Sequence, residues 1–142
     1  MWLSARHSTE PCPNPAGAAT SGTPVFPALA NHYGTLFAGE ALNLMARSAV
    51  LVAGERAGGD VVMAGCDQIA FHAPVRVGAV LWLTAVIGQV GRTSLTVKVS
   101  GVAAGLSRVN PAPVMEGVFY MVAVDAAGRP QRLPQDDRND PA

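Results

Sequence analysis

The fold is decided by residues 36–56, which read LFAGEALNLMARSAVLVAGER. Drawn as a helix, this segment is apolar on nearly every side, and a helix of that kind has to be enclosed by other parts of the chain. Three of its polar residues, Glu40, Asn43 and Arg47, form one stripe along the helix. Thr35 precedes the segment as a candidate N-cap, and two glycines, Gly58 and Gly59, follow it as a breaker. We therefore predict one long helix over residues 36–56.

Four strand-like runs rich in Val, Ile, Leu and Thr follow, at residues 61–72, 80–90, 94–104 and 114–124. Short or glycine-containing links join them, which predicts antiparallel neighbours. A short extended piece at 23–27 precedes the helix. A sheet that curls around the helix would bury most of its circumference. The prediction is therefore an α+β hotdog domain, in which a curved antiparallel sheet wraps a long central helix. One sheet edge stays uncovered, so we expect a dimer or a larger assembly.

Composition sets the broad class of the chain. Of its 142 residues, 49% are hydrophobic and 14% charged, with a mean hydropathy of +0.26, which excludes a disordered protein. Ten basic residues balance ten acidic ones, so we expect neither a nucleic-acid partner nor a membrane partner. We predict a flexible N-terminal tail at 1–22, one domain at 23–134 and a flexible C-terminal tail at 135–142.

The two cysteines, Cys12 and Cys66, form neither a disulfide framework nor a metal-ligand pattern, so no metal is expected. The first residues lack the apolar run of a signal peptide. The longest apolar stretch, residues 41–53, is too short and too polar to span a bilayer. These features together predict a cytoplasmic protein.

Four short segments carry a family resemblance. Residues 31–39, NHYGTLFAG, are similar to the pattern N-x-x-G-x-x-F-G-G, and residues 71–78, FHAPVRVG, to F-x-x-P-V-x-x-G. Residues 90–94, VGRTS, and the closing segment 122–134 fit the same family in the same order. With these motifs the chain resembles the hotdog acyl-CoA thioesterases over about residues 24–134, and within them the bacterial short-chain thioesterases and the cytosolic acyl-CoA hydrolases.

The resemblance implies where a thioester would bind. Unpaired N–H groups at the helix start, around Ala38 and Gly39, would face the carbonyl as negative charge develops on its oxygen. In the family, Asn at the position of Asn31 and a carboxylate from the partner subunit's helix flank this point. The turn that contains Arg92 and Ser94 resembles the family's turn that contacts coenzyme A, and Arg76 has a weaker version of the same role. Coenzyme A would enter as part of the substrate, and no other cofactor is implied.

The chain departs from the family at the position of the helix carboxylate, where it has Ala46. Two further positions of the family pattern hold Ala70 and Cys66. A methyl group can neither attack a carbonyl nor accept a proton, so the resemblance implies a non-standard catalytic set. Cys66 would act as a nucleophile only beside an activating base, which the sequence does not reveal.

Two acids could replace the missing one. Glu40 lies in the first helical turn, where it could contact substrate. Alternatively, its negative charge could interact favourably with the helix dipole and pair with Arg47. Alternation predicts that Asp67 points toward the core, where it needs either an ionic partner or a chemical role; it would share that face with Met63, Ile69 and Phe71. Asn31 could bind substrate or stabilise its own loop through an Asx turn.

The histidines have simpler interpretations. His32 is expected to decorate its loop, and His72 to be an exposed residue at a strand end. Three functions stay open at this point: an acyl-CoA hydrolase, an acyl-CoA-binding protein with little or no activity, and, more distantly, a hydratase or dehydratase that uses His32 with Glu40.

Overall fold

The computed structural model describes residues 17–135. They form one five-stranded antiparallel sheet and one long helix, with a 3₁₀ turn at Pro27–Leu29. The elements in chain order are β1 (Ala18–Pro24), α1 (Ala38–Ala57), β2 (Val61–Phe71), β3 (Val80–Val90), β4 (Ser94–Ala104) and β5 (Ala112–Ala123). In space the strands follow the order β1-β3-β4-β5-β2.

The helix α1 lies across the concave face of the sheet and contacts all five strands. Its buried face consists mainly of small residues, which let the helix axis approach the sheet closely; they are Ala41, Met45, Ala49, Val52, Ala53 and Ala57. Gly58 ends the helix in the left-handed conformation, with φ of 69°. The predicted hotdog fold class is confirmed.

Two details of the predicted helix are wrong. A single chain does not enclose the helix, because its outer face is open and Leu51 is 73% exposed. Thr35 is not the N-cap: Phe37 holds that position and offers no side-chain acceptor to the helix amides. The Thr35 hydroxyl bonds to Asn31 instead.

The core lies between α1 and the inner faces of β3, β4 and β5. Alternate residues of these strands point inward and are buried, as expected for a sheet with one covered face. The most deeply buried large side chains are Phe119, Met45, Leu81, Leu83, Leu95 and Met121. This rigid layer supports the first turn of the helix.

The predicted strands are confirmed to within two residues, but the predicted pairing is wrong for β2. That strand pairs with β5, not with its neighbour in sequence, β3. The link at 74–78 therefore carries the chain from one edge of the sheet to the other side of it, past the start of the helix. This crossing places the link beside residues 35–38.

The predicted tails need one correction. Residues 18–22 belong to β1, which pairs with β3, so the boundary at residue 22 is wrong. Residues 1–16 and 136–142 lie outside the described part of the chain, and with them most of both predicted tails. Among the described residues, no helix is long and apolar enough to cross a membrane.

Candidate active site

A cleft of about 270 Å³ opens at the N-terminus of α1. One wall is the helix start with the residues just before it, and the opposite wall is the link that follows β2. The strand β5 contributes Met115 to the lining. The lining residues are Thr35, Leu36, Ala38, Ala41, Phe71, His72, Ala73, Pro74, Val75 and Met115. The cleft is thus mostly apolar, with a few polar groups at its walls, as is usual for small-molecule sites.

The helix start presents free amides to this cleft. The Phe37 N–H donates to the Leu29 carbonyl at 2.9 Å, and the Ala41 N–H to the Phe37 carbonyl at 3.0 Å. Between them, the N–H groups of Ala38, Gly39 and Glu40 have no acceptor among the described residues. Because Ala38 lines the cleft, its amide and the positive end of the helix dipole are available to an anionic oxygen there.

The loop before the helix is tied together by Asn31. Its Oδ1 accepts from the Tyr33 N–H at 2.9 Å and from the N–H and hydroxyl of Thr35, both at 3.2 Å. Gly34 takes φ of 77°, a left-handed conformation that glycine adopts without strain. The structure therefore supports the Asx-turn interpretation of Asn31, and only its amide NH₂ remains to reach a ligand.

We expect the two roles of Asn31 to be separable by substitution. Asn31→Ala removes an acceptor of three hydrogen bonds and should lower the free energy of unfolding by about 1–3 kcal/mol. Asn31→Asp keeps the acceptor, so its unfolding midpoint in urea should stay near that of the wild type. If Asn31→Asp unfolds as early as Asn31→Ala, the loop-stabilising role is wrong.

A histidine and a carboxylate meet on the wall opposite the helix. His72 Nε2 lies 3.7 Å from Glu116 Oε1, and the two side chains are 49% and 47% exposed. The backbone of His72 is fixed by its N–H, which donates to the Val114 carbonyl at 2.7 Å. His72 lines the cleft and Glu116 stands behind it on β5.

The structure brings few of the predicted site residues into the cleft. Ala38 lines it and Gly39 follows directly in the first helical turn. Glu40 is half-buried in that turn but does not line the cleft, and it forms no ion pair with Arg47 within residues 17–135. The predicted pairing of Glu40 with Arg47 is therefore wrong.

The expectation that Asp67 points toward the core is also wrong. Asp67 is exposed, and its Oδ1 accepts from the Gln68 N–H at 2.7 Å. Gln68 takes φ of 52°, and the register of β2 against β5 shifts between Asp67 and Ala70. This β-bulge breaks the alternation from which the inward direction was predicted.

The three predicted coenzyme A contacts fall in two places. Arg92 and Ser94 lie at the turn between β3 and β4. Ser94 is about 20 Å along β4 from Gly101, which pairs with the cleft residue Met115. One chain therefore does not bring Arg92 and Ser94 to this cleft. Arg76 does lie near it, because it forms a β-bridge with Thr35, a lining residue.

Ala46 is half-buried, packs on the core and does not line the cleft. Cys66 is exposed on β2 and forms no disulfide within residues 17–135. His32 is exposed and stacks on Tyr33, with ring centroids 4.0 Å apart, outside the cleft lining. Within residues 17–135 no three metal-binding side chains cluster together.

Sequence reasoning missed the pairing of His72 with Glu116 and the contribution of Met115. His72 stands two residues before Pro74 in the motif at residues 71–78, so the sequence indicated its place beside the cleft. The sequence did not indicate Glu116, because Glu116 reaches His72 only through the pairing of β2 with β5.

Comparisons with known proteins agree with this fold. Residues 33–108 match the model of the thioesterase superfamily. An uncharacterized acyl-CoA thioester hydrolase from Zymomonas mobilis is 36% identical over 120 residues, which cover 84% of this chain and 80% of that protein.

Two solved structures are also similar. An acyl-CoA hydrolase from Staphylococcus aureus, solved with butyryl coenzyme A and coenzyme A, is 26% identical with a TM-score of 0.79, over 87% of this chain and 77% of that one. A hexameric thioesterase from Yersinia pestis is 32% identical with a TM-score of 0.76, over 82% and 94%. The family match and these relatives, together with the cleft at the helix start, show that the chain belongs to the thioesterase superfamily.

Proposed function

We propose that this protein is an acyl-CoA thioester hydrolase, which releases a free acid and coenzyme A. The observation that carries the proposal is the uncapped helix start, whose Ala38 amide opens into an apolar cleft. Relatives named as acyl-CoA hydrolases support the substrate class. An acyl thioester fits such a site because its chain is apolar and its carbonyl needs hydrogen-bond donors.

The reaction follows from these groups. The thioester carbonyl oxygen accepts from the free amides of Ala38 and Gly39, which stabilise the negative charge that develops when water attacks the carbonyl carbon. Collapse of the tetrahedral intermediate breaks the C–S bond and releases the coenzyme A thiol. Glu40 and Asp67 are the carboxylates that the sequence offers to assist, and neither lines the cleft of its own chain.

A second copy of the chain is part of the proposal. The relative from Yersinia pestis is hexameric. Here β2 is an edge strand with exposed apolar side chains, which Val62, Met63 and Phe71 provide. Covering this edge would bury apolar area and pair free backbone groups. Residues remote from the cleft in one chain, such as Asp67 and the Arg92–Ser94 turn, could then serve a neighbouring copy.

A substitution at Arg76 tests how the protein binds coenzyme A. The backbone of Arg76 forms a β-bridge with Thr35 on the cleft wall, and from there we expect its guanidinium to reach the phosphates of the nucleotide part of the substrate. We expect Arg76→Met to raise KM for acyl-CoA about 2- to 5-fold at low salt while kcat stays within twofold, because a surface cation contributes about 1 kcal/mol or less. Initial rates at several substrate concentrations measure this. Arg129→Met, on the far turn after β5, serves as the control, and an unchanged KM in Arg76→Met would contradict the assignment.

Ala46 favours a second candidate, a protein that binds acyl-CoA without turning it over. By the family resemblance this position corresponds to the helix carboxylate, and among residues 17–135 no carboxylate lines the cleft in its place. If this candidate is right, Ala46→Asp should gain hydrolysis that the wild type lacks.

One experiment separates the two candidates. The purified chain is mixed with short, medium, long and aromatic acyl-CoAs, and thiol release is recorded alongside the melting temperature. We expect release at about 1 s⁻¹ or faster with at least one substrate, within the ordinary range of enzymes. A higher melting temperature without any release would support binding alone, and neither effect would contradict both candidates.

Two predictions from the sequence remain proposals. Coenzyme A enters only as part of the substrate, and no separate cofactor takes part. We also propose a cytoplasmic location, which the exposed thiol of Cys66 supports because reducing compartments keep such thiols reduced.

A further inference from the structure

The wall of the cleft that faces the helix start carries a side chain able to move a proton. Of the residues that line the cleft, His72 alone has an ionisable side chain; the others are apolar or, in Thr35, a hydroxyl. The carboxylates considered for this role, Glu40 and Asp67, do not line it. A base that activates water must reach the cleft directly or through one water molecule.

We propose that His72 is the general base of the hydrolysis and that Glu116 positions it. This inference rests on the proposed function. Water attacks the thioester carbonyl carbon and gives its proton to His72, while the carbonyl electron pair moves to the oxygen held by the amides of Ala38 and Gly39. The C–S bond then breaks, and the protonated His72 returns its proton to the departing thiolate. The products are the acid and coenzyme A with a free thiol.

The geometry assigns each imidazole nitrogen a task. Nε2 lies 3.7 Å from Glu116 Oε1, so a hydrogen on Nε2 faces the carboxylate. Nδ1 then keeps its lone pair and can accept a proton. The carboxylate also stabilises the imidazolium that forms, which is the role of the acid in a catalytic triad. This distance exceeds a good hydrogen bond, and such contacts commonly tighten when substrate binds.

If the His72 side chain had only a structural role, removing it would lower the free energy of unfolding. A contact between a histidine and a carboxylate as exposed as this one adds little to folding stability. The hydrogen bond to the Val114 carbonyl comes from the backbone N–H of His72, so it remains when the side chain is replaced. Removing the imidazole should therefore change the rate and leave stability nearly intact.

The test compares two histidine variants of the full chain with acyl-CoA as substrate. We expect His72→Ala to lower kcat about 10²–10⁴-fold at an unchanged unfolding midpoint, and added imidazole to restore part of it. The control His32→Ala, on an exposed histidine outside the cleft, should keep the wild-type rate.

Glu116→Gln tests the positioning role. It should lower kcat by less than His72→Ala does, with KM unchanged, because the amide still occupies the space but no longer stabilises the imidazolium. Glu116 is the charged group in contact with His72 within residues 17–135.

The outcomes separate this inference from the proposed function. A wild type that hydrolyses acyl-CoA while His72→Ala keeps its kcat within threefold overturns the role of His72 and leaves the hydrolase intact. A wild type without thiol release overturns the hydrolase and the base together. Loss of rate in His72→Ala with rescue by imidazole supports both.

Discussion

Replacing Ala38 with proline should lower kcat for acyl-CoA hydrolysis about 10²–10³-fold, the effect of losing one oxyanion donor. Proline has no N–H, so the substitution removes the amide that opens into the cleft. The helix should survive, because Ala38 is its first residue and proline is favoured there. Phe37 already has the extended conformation that proline requires of its predecessor, with φ of −67° and ψ of 134°.

Ala38→Val is the matched control for that experiment. Valine adds about as much bulk to the cleft wall as proline but keeps the N–H. Both variants are compared by kcat at saturating acyl-CoA and by urea unfolding. If Ala38→Pro and Ala38→Val have kcat values within threefold of each other while both remain folded, the amide of Ala38 is not an oxyanion donor.

Phe119→Ala should cost about 3–5 kcal/mol of unfolding free energy. The Phe119 side chain is 0% exposed at the centre of β5, between Cys66 on β2 and Val97 on β4 in the strand register. Its neighbour on the same face, Gly117, has no side chain, and Ile69 and Met45 already fill the space beside the ring. Urea unfolding followed by circular dichroism, at one fixed protein concentration, measures the loss.

Phe26→Ala is the control for the core prediction. It removes the same atoms from a side chain that is 64% exposed, so its cost should stay within about 0.5 kcal/mol. A cost below about 1 kcal/mol for Phe119→Ala would show that the core does not depend on this ring.

The helix and four strands were predictable because their signals are local. The segment at 36–56 is long and strongly apolar, and the four strands are rich in β-branched residues. The strand β1 escaped prediction because its sequence, AATSGTP, has few strand-forming residues. It is held by pairing with β3 along its whole length, which is a long-range effect.

The candidate site was only partly predictable for the same reason. The resemblance of residues 31–39 to the family motif pointed to Ala38 and Gly39, although the helix begins two residues later than predicted. The bulge at Gln68, which turns Asp67 outward, and the contact of His72 with Glu116 both depend on how β2 pairs with β5. Strand order decides which side chains meet, and the spacing of residues along the chain does not specify it.

In the proposed reaction, this chain uses water to cleave an acyl thioester at the helix start. A single turnover in oxygen-18-labelled water, with enzyme in excess over acyl-CoA and mass spectrometry of both acid and protein, tests it most directly. Direct attack by water predicts that the released acid carries the label and that the protein carries none. Unlabelled acid with label in the protein would show attack by a carboxylate such as Glu40, and the absence of any released acid would contradict the claim that the chain is a hydrolase.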